Sequence, residues 1–260
     1  MIKVTVLHTE LTEFENSTSG FSLLVETENR KILFDVSYSD EIIKNSIKGG
    51  INLDNIDYLI LSHGHVDHSQ GIKHIEFSKV KNLLAHPTCF KKRYFEGEGQ
   101  IGIPLELSDL KLKTNVIMTK EPYWIEKEHI VFLGQIPREN NFEGKEIIGN
   151  LENGENDIVL DDSAIVIKGT SGLVIISGCS HSGICNIIEY SKQIFNENRI
   201  STVMGGFHLF NPIIIDKTLK YFRTQNIKNI FFIHCFSEYA LSKFQDVGAK
   251  RVHTLQRLII

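Results

Sequence analysis

The sequence predicts a mixed α/β (α+β) chain with two mixed β-sheets and helices on their outer faces, and three observations carry that prediction. Short β-branched, leucine-rich runs recur in both halves; helix-period segments accompany them; a loop-rich stretch at about residues 90–156 lies between. Nothing along the chain resembles an interdomain linker. One domain over residues 1–260 is therefore expected, with the insert at about 90–156 covering its functional site.

Strand-like runs occupy residues 2–7, 21–26, 31–36, 58–61 and 80–85. Between the third and fourth, residues 40–48 place Ile42, Ile43 and Ile47 at helical spacing, and Gly49-Gly50 supplies a stop. The middle stretch holds Tyr94-Phe95-Glu96-Gly97-Glu98-Gly99, Pro104, Pro122-Tyr123-Trp124 and Pro137-Arg138, yet keeps short strands at 116–118 and 130–133. Strands at 163–168 and 173–177 are joined by Gly169-Thr170-Ser171-Gly172, a hairpin signal. A helix is expected over 184–195 and another over 216–225, with strands at 202–204 and 229–233. The halves invite the idea of a structural duplication, although no internal sequence repeat is visible.

A formal charge of −4, with both signs interspersed, gives no electrostatic case for nucleic acid or a membrane surface. Residues 1–7 alternate like a first strand rather than a secretory leader, and no apolar run approaches a membrane span. The four cysteines (Cys89, Cys179, Cys185, Cys235) are too sparse for a disulfide framework and suit a reducing compartment. The expectation is a cytoplasmic protein acting on a small molecule.

The most informative segment is Ser62-His63-Gly64-His65-Val66-Asp67-His68, which follows the apolar run 56–61. A buried strand emptying into such a loop sets His63 and His65 on one side, because alternate residues of an extended chain share a face. Asp67 and His68 then approach from another side. Imidazole nitrogen and carboxylate oxygen suit Zn²⁺, with Fe or Mn²⁺ as alternatives. The same grammar recurs later: His181, His208 and His234 each follow an apolar run ended by small residues or by the histidine itself. His181 and His234 are read as metal ligands, and His208 as a ligand or a substrate contact. His86 is read as a turn residue near the site, and His74, His129 and His253 as surface or core histidines.

His63-Gly64-His65-Val66-Asp67-His68 resembles the HxHxDH signature of the metallo-β-lactamase superfamily. Ile32-Leu33-Phe34-Asp35, the Asp67-His68-Ser69-Gln70-Gly71 turn and His234 are similar to further landmarks of that family. The resemblance implies an αββα sandwich holding one or two transition-metal ions, Zn first. It also implies that His63 and His65 hold one ion, while Asp67, His68 and His234 hold the other, with Asp67 orienting water or taking its proton. The chain departs from the pattern at Ser177-Gly178-Cys179, where most members have Ser-Gly-Asp, and in lacking a comparable middle histidine. We infer that His181 supplies the missing coordination, and Cys179 is either a thiolate ligand or a small neutral neighbour. Gly178-Cys179-Ser180-His181, Gly205-Gly206-Phe207-His208-Leu209 and Gly134-Gln135-Ile136-Pro137-Arg138 resemble a dihydropteroate-synthase-like branch, whereas His234-Cys235-Phe236-Ser237 departs from the His-Cys-Thr-Gly usual there.

The chemistry expected first is hydrolysis of a small ester or phosphate by metal-activated water. The alternative is a transferase joining a pterin to an aminobenzene ribofuranosyl phosphate, as that branch's named members do. Such a substrate would be stacked by Phe95 or Trp124 and gripped by Arg138. An iron-containing redox protein, a ligand-binding module and a closed structural zinc site are the readings from other classes; no C-x-x-C spacing supports an iron–sulfur cluster.

Overall fold

The computed structural model describes residues 1–9 and 20–260, and within it the chain forms two compact units. The first comprises residues 1–120, 148–157 and 253–260; the second comprises 121–147 and 158–252.

In the first unit, β1 (Lys3–Thr9), β2 (Phe21–Glu26), β3 (Lys31–Phe34), β4 (Ile56–Ile60) and β5 (Val80–Ala85) follow the expected apolar runs. They join β8 (Asn115–Met118) and β17 (Arg257–Ile259) in a seven-stranded sheet ordered β17-β1-β2-β3-β4-β5-β8. Pairing is antiparallel from β17 to β3 and parallel from β3 to β8. Helix α1 (Glu41–Gly49) packs its apolar stripe on this sheet through Ile42 and Ile43, within a core that includes Leu7, Leu33, Leu59 and Leu83. Gly50, at φ 60°, closes α1 by donating its N–H to the Ile47 and Ser46 carbonyls, a left-handed cap that favours glycine. The single turn α2 (Val66–Ser69) follows β4, and α3 (Leu107–Lys111) precedes β8. A small sheet of β6 (Arg93–Phe95), β7 (Gly99–Gln100) and β11 (Asn150–Leu151) lies in the insert that the sequence marked as loop-rich.

In the second unit, β9 (Tyr123–Glu126), β10 (Ile130–Phe132), β12 (Ala164–Gly169), β13 (Gly172–Ser177), β14 (Ile200–Leu209), β15 (Asn229–Phe236) and β16 (Ala249–Arg251) form another seven-stranded sheet. Its order is β16-β15-β14-β13-β12-β10-β9, parallel from β16 to β13 and antiparallel beyond. Both sheets thus contain the same succession of antiparallel and parallel links, a structural echo that the sequence hides. Helices α4 (Ile184–Phe195), α5 (Pro212–Gln225) and α6 (Glu238–Phe244) bury Ile187, Ile188, Leu219, Phe222 and Phe244 against Ile175, Val203 and Phe232 of the sheet. Each such aliphatic or aromatic side chain contributes about 1.5–3 kcal/mol on burial. Helix α5 starts four residues before the expected 216, because Pro212 occupies its first turn and the Asn211 side chain accepts from the N–H groups of Ile213 and Ile214. Among the described residues, no helix is long and apolar enough to cross a membrane.

Candidate metal centre

In the first unit, a cluster of candidate ligands forms where two parallel strands end. Asp35 follows β3 in a left-handed conformation (φ 59°) and is fully buried. Its carboxylate accepts from the Ser62 N–H at 2.7 Å, from the Ser62 hydroxyl at 2.7 Å and from His68 Nδ1 at 2.8 Å. Because the Ser62 proton goes to Asp35, the Ser62 oxygen is an acceptor for His63 Nδ1 at 2.9 Å. This network assigns protons to the Nδ1 atoms of both His63 and His68, so each presents the lone pair of Nε2. His63 Nε2 lies 3.0 Å from His65 Nδ1, and the His63 and His68 ring centroids are 4.3 Å apart. All three histidines are buried, while Asp67, a quarter exposed, holds Oδ2 3.6 Å from His68 Nε2. A single helical turn makes this crowding possible: α2 carries Asp67 and His68, and Ser69 donates its hydroxyl to the His65 carbonyl at 2.7 Å.

Gly64 is forced by packing. A Cβ there would meet the Cys89 carbonyl oxygen at 2.0 Å. We expect Gly64→Ala to displace the loop and destabilise the chain by about 1–3 kcal/mol. Urea titration reads this directly, and an unchanged midpoint would contradict the close approach.

In the second unit, a separate group of polar side chains gathers at the ends of β13, β14 and β15. Beyond β13, Ser180 (φ 64°) donates its hydroxyl to the Gly206 carbonyl at 2.6 Å, and His181 follows, buried. Two buried carboxylates fix the chain after His181. Asp162 accepts from the Ser182 N–H at 2.9 Å and its hydroxyl at 2.5 Å. Glu143 accepts from the Cys185 N–H at 3.0 Å, from Asn140 at 2.8 Å and from Thr218 at 3.2 Å, capping α4 where Gly183 offers no side chain. Burial raises the pKa of both acids.

His234 is buried within β15, and the His181 and His208 ring centroids lie 4.4 Å apart. His208 is gripped at both nitrogens, Nδ1 by Cys235 Sγ at 3.1 Å and Nε2 by Glu146 at 2.9 Å. Burial opposes its charge, but the bonds to Cys235 and Glu146 prevail and raise its pKa to about 10. The hydrogen bond from Cys179, and then that from His208, hold the Cys235 thiol well below its ordinary range. His181 and His208 face a cavity of about 480 Å³ that also takes in Lys145, Phe210 and Asn211.

Two expected substrate contacts have other work. Arg138 donates to the carbonyls of Gly144, Ile158 and Val159 at 2.6–2.8 Å, so its guanidinium buckles the loop that carries Glu143. Trp124 packs edge-on against Phe195 at 5.1 Å, near the end of α4. Phe95 does line a cavity with His65 and Asp67. His86 binds Thr88 and caps a short turn, as expected. The residues the sequence reading gave no role are Asp35, Ser62, Glu143 and Asp162. Asp35 had a signal, an acid ending an apolar strand; the others are ordinary polar residues until their partners are known.

The donor set suits a transition-metal ion: neutral imidazoles with Nδ1 protons engaged, a partly exposed carboxylate, and a buried carboxylate orienting them. Comparison with known proteins agrees. Residues 17–195 match the model of the metallo-beta-lactamase superfamily. An uncharacterized protein of Methanocaldococcus jannaschii is 34% identical over 255 residues, covering 95% of each chain. The 7,8-dihydropterin-6-methyl-4-(beta-D-ribofuranosyl)-aminobenzene-5'-phosphate synthase of the same organism is 35% identical over 251 residues, 88% of this chain and 85% of that one. Among solved structures, Tm1679, a metal-dependent hydrolase of the beta-lactamase superfamily, aligns with a TM-score of 0.84 at 29% identity, covering 100% of this chain and 99% of the other. Zn(2+)-bound PqqB from Methylobacterium extorquens shares the fold, with a TM-score of 0.58 at 12% identity over 99% of this chain and 100% of its own.

Proposed function

The chain belongs to the metallo-β-lactamase superfamily, and on that premise we propose that it is a metal-dependent enzyme hydrolysing a small ester- or phosphate-containing molecule. The observation that carries this reading is the contact between His63, His65 and His68, oriented through Asp35 and Ser62 with Asp67 beside them. Neutral nitrogen donors held this close, in one tautomer, are costly to assemble without a cation to share. The proposal assigns metal holding to His63, His65, Asp67 and His68, and further to His181 and His234, with Cys179 as an additional thiol donor. A transition-metal ion, when bound, acts as a Lewis acid that acidifies water near neutral pH. Asp67, the most exposed of these side chains, accepts the proton and orients the attacking oxygen. His68, locked by Asp35, turns the lone pair of Nε2 toward the side where Asp67 stands.

A second reading, pterin transfer, is favoured by one observation, the similarity to the named synthase over most of both chains. In that case the same residues would assist loss of a pyrophosphate leaving group while an amine attacks.

Elemental analysis of protein purified without added metal tests the premise common to both. We expect about one equivalent or more of a transition metal, Zn first, lost on chelation together with activity. Less than half an equivalent would sink the metalloenzyme reading. Turnover of phosphodiester and thioester panels would then favour hydrolysis, and silence there would favour transfer.

A further inference from the structure

The second unit holds a cavity of about 240 Å³ between helices α4 and α5 and the turn at residues 137–142. Pockets for drug-sized ligands run to about 300–1,000 Å³, so this one suits a ligand of few heavy atoms. Three half-buried rings line it, Phe142, Tyr190 and Tyr221, together with the carboxylates of Glu139 and Glu189 and the amide of Gln193. Its lining carries no lysine or arginine. Ring faces and carboxylates are both electron-rich, and together they favour a positively charged guest over a neutral or anionic one.

The rings already keep cations close. Lys192 Nζ stands 5.7 Å from the Tyr221 centroid, and Lys217 Nζ 5.7 Å from that of Phe142. Neither lysine belongs to the cavity wall. Glu189 joins the two helices, because its Oε1 accepts from Lys192 at 2.8 Å and from the Tyr221 hydroxyl. Both bonds fall on one oxygen, so Oε2 keeps its acceptor capacity. Burial works against charge on this acid, but the bonds from Lys192 and then Tyr221 prevail and hold its pKa below the ordinary carboxylate value.

The facing wall is built before any guest arrives. The Asn186 side-chain oxygen, on α4, accepts from the N–H groups of Glu139 and Asn140, both at 3.1 Å. The Asn140 side chain in turn accepts from the Phe142 N–H at 3.1 Å and the Glu143 N–H at 2.9 Å. These bonds tie the turn that carries Glu139 and Phe142 to α4, so little ordering is left to do on binding.

We propose that this cavity is a binding site for a small alkylated ammonium ion, its charged nitrogen set among Phe142, Tyr190 and Tyr221 and facing Glu189. The site shares no residue with the metal ligands assigned above, and the inference does not depend on the metalloenzyme reading. A bare ammonium is compact and strongly hydrated, and ring faces return too little for the water it gives up. An alkylated nitrogen keeps its charge, holds water weakly and buries apolar surface against the same rings.

The test is calorimetric titration of the whole protein, as purified, with choline chloride and with its uncharged isostere 3,3-dimethyl-1-butanol. Choline should bind saturably and about tenfold or more tightly than the alcohol. Tyr190→Leu should weaken choline about tenfold, whereas Tyr190→Phe should keep the original affinity, because a ring face and not a hydroxyl is required. Glu189→Gln should weaken choline and spare the alcohol. Lys192→Met should tighten choline, since a competing positive charge beside Glu189 is gone. Melting temperatures are recorded for every variant, and the contrast between the two probes on the unmutated chain needs no variant at all. Equal affinity for both probes, no saturable choline binding, or folded Tyr190→Leu and Glu189→Gln variants that bind choline undiminished overturns the proposal.

Discussion

Asp67→Ala is expected to lower turnover by about 10²–10⁴-fold, the range for removing a positioned acid–base group, while circular dichroism and the melting temperature stay close to wild type. The side chain is a quarter exposed, and partly solvated charges of this kind contribute little to folding. The informative companion is Asp67→Asn, which keeps the volume and removes the charge. If it is as inactive as the alanine variant and still loads metal, the carboxylate acts in proton transfer as well as in holding the cation. Wild-type rates in either variant would contradict the role assigned to this residue.

Asp35→Ala should act the other way, on the fold and on metal affinity together. Three buried donors converge on this carboxylate, the Ser62 N–H, the Ser62 hydroxyl and His68 Nδ1. Each one left without an acceptor costs about 1–3 kcal/mol, so a loss of several kcal/mol is expected in chemical denaturation. Asp35→Asn separates the two effects. An amide can still accept from Ser62 but offers N–H to His68, which moves the imidazole proton to Nε2 and removes the lone pair that faces Asp67. Metal affinity should then fall about 10–100-fold with most stability retained, as read by chelator competition beside urea titration. Unaltered affinity in Asp35→Asn would show that the tautomer of His68 is not controlled from Asp35.

The features legible in the sequence are those written locally. The apolar runs of β1 to β5 fixed their own strands, and the crowding of histidines in residues 63–68 marks a candidate site without any knowledge of contacts. What escaped depends on partners far along the chain. Strand β14 runs on past the expected 202–204 through Gly205 and Gly206, because Gly205 (φ 128°) approaches the Ser177 carbonyl so closely that a Cβ would lie 2.1 Å away. The small sheet of β6, β7 and β11 is made of strands two or three residues long and is braced by Arg93 with Asp157, a pair invisible to any window of residues. Arg138 looked like a phosphate contact because nothing local shows three carbonyls waiting for it. Glu143 caps a helix that begins 41 residues later, at Ile184.

The place of β17 has a consequence for how the molecule is made. This strand completes the first sheet by pairing Val4 with Leu258, and the Val6 N–H is accepted by the Gln256 carbonyl at 3.0 Å. On the ribosome, β1 emerges long before its edge partner, and all of residues 158–252 must be synthesised in between. The nascent chain therefore carries an uncovered β1 edge until residues 257–259 have been made, the state in which unpaired strands invite aggregation. Long-range closure of this kind is slow, so chaperone dependence during synthesis should exceed what the finished protein's stability would suggest.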